Sequence, residues 1–336
     1  MICSICLAPA SIRYEQLPGF ALGLSYDIVE CSGCGTSFAV DASPQDWLYT
    51  KIYDQPERIS GYHRYEQFAA AVEGSRSPLR TLMNCEDVYF AVGSILKQLQ
   101  VKPGARVLEI GCGLGYLVYA LVQAGYSAEG WDLSPSAIAT ATRRFGAHYS
   151  VRNANDEGTL GTTTFDVVIF TSFIEHVTDP IGFVAAAKTL LAPGGSIILS
   201  TDNKSFFNPA PVWHSDLPPV HLWWFTELGI ATIAKRNKLS AAFFDFSEYN
   251  AERPWERIGP FPLDAPTVAP RLTAEGEPLE PVPEAEKWSL FPLSRSLVPA
   301  TVNAVRRATA TFREQRPLLG EPRGRRLALA ALLRSF

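Results

Sequence analysis

The chain has 336 residues, 47% of them hydrophobic and 19% charged, enough for one large or two modest domains around a sizeable core. No apolar run reaches the roughly 18 residues that a membrane-spanning helix needs, and Met1-Ile2-Cys3-Ser4-Ile5-Cys6 lacks the basic-then-apolar pattern of a secretory signal, so a cytoplasmic location is expected. The net charge of −4 is uneven: residues 295–336 hold nine arginines and two glutamates, leaving 21 basic and 32 acidic side chains elsewhere, and so acidic a body speaks against a nucleic-acid substrate.

Residues 1–40 open the chain with two knuckles, Cys3-x-x-Cys6 and Cys31-x-x-Cys34, separated by 24 residues. Tetrahedral Zn²⁺ takes four thiolates, and two such turns supply them. Gly33 and Gly35 leave room for the tight turn around Cys34. Reducing cytoplasm disfavours disulfides, so a structural zinc at Cys3, Cys6, Cys31 and Cys34 is expected, with a redox pair as the other use. Four protein ligands close such a site to catalysis. Around it, short strands such as Tyr26–Glu30 are predicted. Residues 41–100 read as a helical lead-in, with Cys85 in its core and the aromatic, polar segment Ser60–Tyr65 within it.

The next 150 residues, about 101–250, read as an α/β core. Val107, Leu108 and Ile110 form a short apolar strand. Gly111, Gly113 and Gly115 follow, where a backbone without Cβ atoms can turn sharply and approach a ligand. Leu117–Ala124 continues as a helix that Gly125 ends. A second strand, Ala128–Trp131, delivers Asp132 at its C-terminal end, where a ribose-binding carboxylate belongs in an open α/β sheet. Glu109 discriminates between ligands. A carboxylate beside the turn repels a pyrophosphate but tolerates a cation, and S-adenosyl-L-methionine carries an ammonium and a sulfonium and no phosphate.

Here the chain resembles the class I S-adenosylmethionine-dependent methyltransferases, whose first motif is similar to Val107–Gly115. Phe165–Phe170 resembles their fourth strand, Glu175-His176-Val177-Thr178-Asp179-Pro180 the opening of the following helix, and Leu190–Ser200 the turn into their fifth strand. The resemblance implies a Rossmann-like seven-stranded sheet and S-adenosyl-L-methionine as cofactor. It places Asp132, with Leu133 beside it, on the ribose hydroxyls, and Asn155 or Asp156 near the adenine amino group. Gly111, Cys112, Gly113 and Gly115 lie along the cofactor. Glu109 supports the methionine end, and Ser172–Phe173 lines the sulfonium side. Cys112 is expected to pack beside the cofactor in preference to acting as a nucleophile. Tyr62 and Arg64 either reach the cofactor carboxylate or lie on a surface helix.

Methylation of a hydroxyl also needs an acceptor pocket and a base. Residues 203–226 follow the fifth strand and concentrate Trp213, His214, His221, Trp223 and Trp224. The indoles are candidate substrate contacts for an aromatic, glycosyl or lipid-like acceptor, although they equally suit a cap on the core. His214 and His221 are the candidate general bases; His176 reads as a lining residue. Thr226–Lys235 is predicted as a helix and Ala241–Phe246 as a strand.

Beyond residue 250 the composition changes, with ten prolines between residues 251 and 300. Lys287–Phe291 is either a final edge strand or a stretch that packs on the surface. The basic tail alternates apolar residues with arginines, including Arg325, Arg326, Leu332, Leu333 and Arg334, as in an amphipathic helix that touches anionic lipid, an acidic partner or the protein itself. The expected organisation is thus a zinc module (1–40), a helical lead-in (41–100), the methyltransferase core (101–250) and a Pro-rich, basic extension (251–336). A cysteine module ahead of this core resembles sugar and secondary-metabolite methyltransferases. Small-molecule methylation, O- before C-, is therefore the leading function. An RNA methyltransferase gripping RNA through the zinc module and a non-catalytic cofactor-binding regulator are the alternatives.

Overall fold

The computed structural model describes residues 1–153, 163–206, 217–252, 269–282, 319–321 and 328–335. The chain opens with an antiparallel meander, β1 (Ala10–Pro18), β2 (Ser25–Cys31) and β3 (Ser37–Ala39). Four helices follow: α1 (Asp46–Asp54), α2 (His63–Glu73), α3 (Pro78–Cys85) and α4 (Asp87–Gln98). The core then alternates β4 (Arg106–Ile110), α5 (Tyr116–Gln123), β5 (Ser127–Asp132), α6 (Pro135–Phe145) and β6 (Tyr149–Val151). Next come β7 (Phe165–Thr171), α7 (Pro180–Thr189) and β8 (Leu191–Asp202). A two-residue strand β9 (Trp223–Trp224) precedes α8 (Glu227–Arg236), β10 (Leu239–Phe244) and α9 (Ser247–Glu252). Two strands close the chain, β11 (Leu319–Gly320) and β12 (Ala328–Ser335).

Local chemistry sets several of these boundaries. Ser134 caps α6 by accepting from the Ala137 amide at 3.2 Å, with Pro135 at the first helical position. Asp179 caps α7 in the same way, its carboxylate accepting from the Ile181 and Gly182 amides. Gly125, at φ +92°, ends α5 with a turn that a Cβ would strain.

The main sheet runs β11-β10-β12-β8-β7-β4-β5-β6. Strands β8, β7, β4, β5 and β6 are mutually parallel, while β12 is antiparallel to both of its neighbours. Helices cover both faces, giving an α/β Rossmann-like fold with a mostly parallel central sheet. The strand order reverses at β4, and the crevice beyond the carboxyl ends of β4 and β7 is where such sheets hold ligands.

Two expectations about the C-terminal part need correction. Leu332, Leu333 and Arg334 lie in β12 and not in an amphipathic helix. Ala328–Leu333 are all buried, because β12 fills the slot between β8 and β10 and is covered on both faces. Strand β12 therefore completes the core, and residue 250 does not bound the sheet. Lys287–Phe291, Arg325 and Arg326 lie outside the described residues. The described part of the sheet has eight strands, one more than expected, since β11 adds an edge pairing to Phe243 and Phe244.

The N-terminal module is built into the same body. Ser37 and Phe38 of β3 pair with Trp224 and Trp223 of β9. Residues 269–282 return to the module as well: the Leu272 amide donates to Phe20 O, and the Leu22 amide donates to Leu272 O. Leu272 is fully buried among Phe20, Leu48, Ile52 and Trp224. Among the described residues no helix is long and apolar enough to cross a membrane.

Candidate active site

A cavity of about 380 Å³ opens at the reversal point of the sheet, within the size range of small-molecule sites. Its floor is the glycine turn and the ends of β4, β5 and β7. Its roof is one face of α1, where Asp46, Tyr49, Thr50 and Tyr53 follow one another at helical spacing.

Glu109, Gly111, Cys112, Gly113, Asp132, Leu133, Ser172, Phe173 and Tyr62 all line this cavity. Gly111, Gly113 and Gly115 have φ of +75°, +48° and +78°. A Cβ on Gly111 would sit 2.1 Å from the Phe173 ring, and one on Gly115 would sit 2.5 Å from Tyr149, so both positions require glycine on space as well as on backbone angle. Gly115 supports the turn from behind, its carbonyl accepting from the Tyr149 hydroxyl at 2.8 Å.

Asp132 is 8% exposed. Its Oδ2 accepts from the Gly113 amide and its Oδ1 from the Ser134 amide, both at 2.9 Å. One carboxylate thus ties the glycine turn of β4 to the start of α6 while facing the cavity. Burial raises its pKa and those two amides pull it back. Glu109 is 3% exposed, and burial followed by the Asp132 charge pushes its pKa well up. Its Oε2 makes no hydrogen bond among the described residues. A cation arriving beside this pair would take the place of the proton that burial and the Asp132 charge keep on Glu109. Cys112 fills the space above Gly130, and burial, then the charges of Glu109 and Asp132, keep its thiol protonated. That is the environment of a packing residue and not of a nucleophile.

The cavity also recruits residues that no motif marked. Tyr49, Tyr53, Tyr65, Tyr89 and Tyr116 join Tyr62 in its wall, with the Tyr89 and Tyr116 hydroxyls 2.7 Å apart. Arg64, which the sequence left between a cofactor contact and a surface helix, lines the wall and pairs with Glu86 at 3.4 Å. Trp131 lies under Arg152, whose guanidinium is 4.9 Å from the ring centroid. These residues come from α1, α2, α4, α5 and β5, so their convergence is tertiary. The run of hydroxylated aromatics on the lead-in helices was the one signal the sequence carried.

The region after β8 is arranged differently from the expectation. Trp224 is fully buried in β9, and Trp223 is 6% exposed with its indole N–H donating to Val177 O at 2.8 Å. Neither lines the cavity, so both belong to the small sheet. His221 is 6% exposed, and burial, then the Arg64 charge, lowers its pKa to about 3. Its Nδ1 lies 3.8 Å from Asp202, beyond hydrogen-bond reach. His176 does line the cavity and meets the His221 ring edge-on, with centroids 4.6 Å apart. Asn155, Asp156, Trp213 and His214 lie outside the described residues.

At the far end of the module the thiols of Cys3, Cys6, Cys31 and Cys34 converge, all four sulfurs within 4.8 Å of one another. Cys3 and Cys34 are 3.9 Å apart and Cys6 and Cys31 are 3.2 Å apart, neither pair being bonded. A zinc with four sulfurs at about 2.3 Å has tetrahedral edges of about 3.8 Å, which the Cys3–Cys34 separation matches and the Cys6–Cys31 separation falls short of. A Cβ on Gly33 would meet Ala8 at 2.6 Å and the Cys6 sulfur at 3.1 Å, which explains glycine there. The hydrogen bond between Cys3 and Cys34 raises the pKa of the first and lowers that of the second. The cluster is anchored to the core: Thr226, the cap of α8, donates to Cys34 O at 2.6 Å, and Lys204 donates to Glu30 at 2.7 Å and to Gly35 O. Arg236 reaches the Ser4 and Ile5 carbonyls.

Residues 88–240 match the family model described as a methyltransferase domain. A ubiquinone biosynthesis O-methyltransferase of Xanthomonas campestris pv. campestris is 32% identical over 159 residues, covering 44% of this chain and 64% of that protein. The protein of the same name from Methylococcus capsulatus is 38% identical over 107 residues, covering 30% of this chain and 45% of its own. The chain thus spans less than two thirds of the length of the relatives it matches. Among solved structures, magnesium protoporphyrin IX methyltransferase of Synechocystis aligns with 58% of this chain and 90% of its own, at 19% identity and a TM-score of 0.40. A chain of the Haloferax volcanii complex between the Trm112 methyltransferase activator and a putative methyltransferase covers 80% of this chain and 97% of its own, at 16% identity and a TM-score of 0.43.

Proposed function

We propose that the protein is an S-adenosyl-L-methionine-dependent methyltransferase acting on a hydroxyl of a small molecule, with a structural zinc in its N-terminal module. The observation that carries this is the pair of buried carboxylates, Glu109 and Asp132, facing one cavity across a glycine turn. A dinucleotide would set its pyrophosphate against Glu109. S-Adenosyl-L-methionine sets an ammonium and a sulfonium there and leaves two ribose hydroxyls for Asp132. The methyltransferase domain match and the O-methyltransferase relatives support the same reaction class.

In this proposal Asp132 accepts from the ribose, with Leu133 alongside. Glu109 balances the charge of the methionine end. Gly111, Cys112 and Gly113 give the cofactor its backbone surface, and Ser172 and Phe173 line the sulfonium side. Asn155 and Asp156 are proposed near the adenine. Tyr62 and the α1 face cover the acceptor, a sugar, aromatic or other secondary metabolite. The cofactor supplies a methyl group on a sulfonium that leaves as a neutral thioether. The residues of the chain contribute alignment and exclusion of water. The four cysteines hold zinc, whose role is to fix the strands β1–β3 against α8 and so to keep α1 over the cavity.

Native mass spectrometry with and without S-adenosyl-L-methionine, combined with calorimetric titration against NAD⁺, tests this reading. One zinc and one bound cofactor, with no NAD⁺ binding, is the expected result. NAD⁺ binding without S-adenosyl-L-methionine binding overturns it.

A further inference from the structure

The cavity lies between separate cores. Its floor, the glycine turn and the ends of β4, β5 and β7, belongs to the main sheet. Its roof, α1, belongs to the N-terminal module, where Leu48 and Ile52 are buried with Phe20, Trp224 and Leu272. Roof and floor meet at Tyr53, whose ring lies 3.3–3.7 Å from the place a Cβ on Gly113 would take. A ligand laid along the glycine turn shares that surface with Tyr53, so α1 has to give way for it to enter. We propose, resting on the cofactor reading above, that α1 is a lid on this cavity and that residues 271–279 are the clasp that holds it shut, so that release of the clasp gates cofactor exchange.

The clasp is a tight hairpin. The Leu279 amide donates to Arg271 O at 2.9 Å and the Thr273 amide to Glu277 O at 2.8 Å, while Gly276, at φ +87°, makes the turn at the tip. The Glu277 amide donates to Thr273 Oγ1 at 3.3 Å and stiffens that turn. At the base, the Arg271 and Leu272 amides both donate to Phe20 O, and the Leu22 amide donates to Leu272 O. The hairpin is thus fixed to the module at one end and free to reach α1 with the other.

The tip meets the helix through polar and apolar contacts. Gln55 Nε2, at the end of α1, donates to Gly276 O at 3.3 Å. The Glu277 carboxylate lies 3.6 Å from Lys51 Nζ and 3.7 Å from the Arg58 guanidinium, both exposed pairs. A Cβ on Gly276 would stand 2.8 Å from Lys51 Cγ, so glycine also lets the hairpin lie close against the helix. Leu272 adds the buried contact with Leu48 and Ile52. On its cavity side α1 is tied by the Tyr49 hydroxyl, which donates to Val220 O at 3.1 Å. The helix itself has nine residues and no side-chain cap at its N-terminus, and one so short keeps its hydrogen bonds only while it is packed.

This arrangement has a kinetic signature. Residues 271–279 touch α1 and do not line the cavity. They therefore stabilise the closed lid equally whether the site is empty or filled, and a contact equal in both states leaves the affinity where it is. Loosening the clasp raises the open population of both states, so entry and exit quicken together. Damage to a binding surface acts differently, mostly on the dissociation rate.

Two variants of the full-length protein test this: Glu277→Ala, which cuts both exposed ion pairs, and Leu272→Ala, which removes the buried anchor. Hydrogen exchange read by mass spectrometry needs no ligand. Exchange of residues 46–54 is expected to rise about two- to tenfold in Glu277→Ala and by more in Leu272→Ala, with β4 and β5 unchanged. Unchanged exchange of α1 in both variants, or a rise only in step with β4 and β5, overturns the lid. Stopped-flow binding of S-adenosyl-L-methionine is expected to show association and dissociation faster by the same factor, with Kd within threefold of the wild type. Dissociation alone faster, or neither rate changed in either variant, overturns the clasp and leaves the cofactor reading standing. If Leu272→Ala does not fold, Glu277→Ala decides, since its lost contacts are exposed. A wild type that binds no cofactor removes the cofactor reading instead, and the exchange result then decides the lid.

Discussion

Removing the Asp132 carboxylate tests the cofactor site most directly. Each of its oxygens already accepts one backbone amide, from Gly113 and from Ser134, and each keeps a second lone pair for a ribose hydroxyl. Asp132→Ala is expected to weaken S-adenosyl-L-methionine by ~1.5–3 kcal/mol, the range for losing hydrogen bonds to a charged group, which is roughly ten- to hundredfold in Kd. The same substitution frees the Gly113 amide and loosens the turn, so the direct contact has to be separated from the indirect one. A cofactor analogue with a 2′-deoxyribose does this. It loses a bond in the wild type that Asp132→Ala has already lost, so the gap between the two proteins should shrink with the analogue. Isothermal titration of both proteins with both ligands gives the four numbers. Affinity unchanged within threefold in a folded Asp132→Ala protein refutes the ribose assignment. An equal penalty for both ligands refutes direct contact and leaves only the turn.

Three further outcomes follow from the same geometry. Gly111→Ala meets the Phe173 ring at 2.1 Å and strains a backbone at φ +75°, so thermal unfolding should fall by several degrees, and Phe173→Ala should restore part of the loss by removing the clash; full retention of stability would count against the packing of the turn. Glu109 has a folded pKa raised by burial, so its native form holds a proton that the unfolded chain gives up above its ordinary value. The stability it contributes is present at low pH and lost as pH rises through the folded pKa. Glu109→Gln should therefore gain stability over the wild-type apoprotein more at pH 8 than at pH 5 in urea unfolding, while binding the cofactor more weakly; a difference independent of pH contradicts the buried, protonated Glu109. Finally, deletion of residues 328–336 removes a strand buried on both faces, and the protein is expected to lose its cooperative transition in circular dichroism. A stable, binding-competent truncation would return the tail to the periphery.

The carboxyl ends of β4 and β5 were legible in the sequence because their chemistry is local. A strand, a glycine turn that tolerates no Cβ, and an acidic residue at the next strand end need no distant partner to be recognised. Two Cys-x-x-Cys knuckles are equally local, and their sulfurs do converge. What the sequence left open depends on partners far along the chain. Ala328–Leu333 combines good helix formers with flanking arginines, and only the slot between β8 and β10, with its unfilled hydrogen-bond ladders, makes it a strand. Trp223 and Trp224 read as a binding surface until β3 pairs with them and buries them. The same holds for the histidines: the sequence offered His221 as a base and His176 as a lining residue, and only the tertiary structure buries the first and sets the second in the cavity wall. Periodicity and turn chemistry thus determined the strands and the cofactor end of the site. The tertiary structure decided which aromatic and titratable groups face the cavity, because burial and hydrogen bonding across elements, and not residue type, set their chemistry.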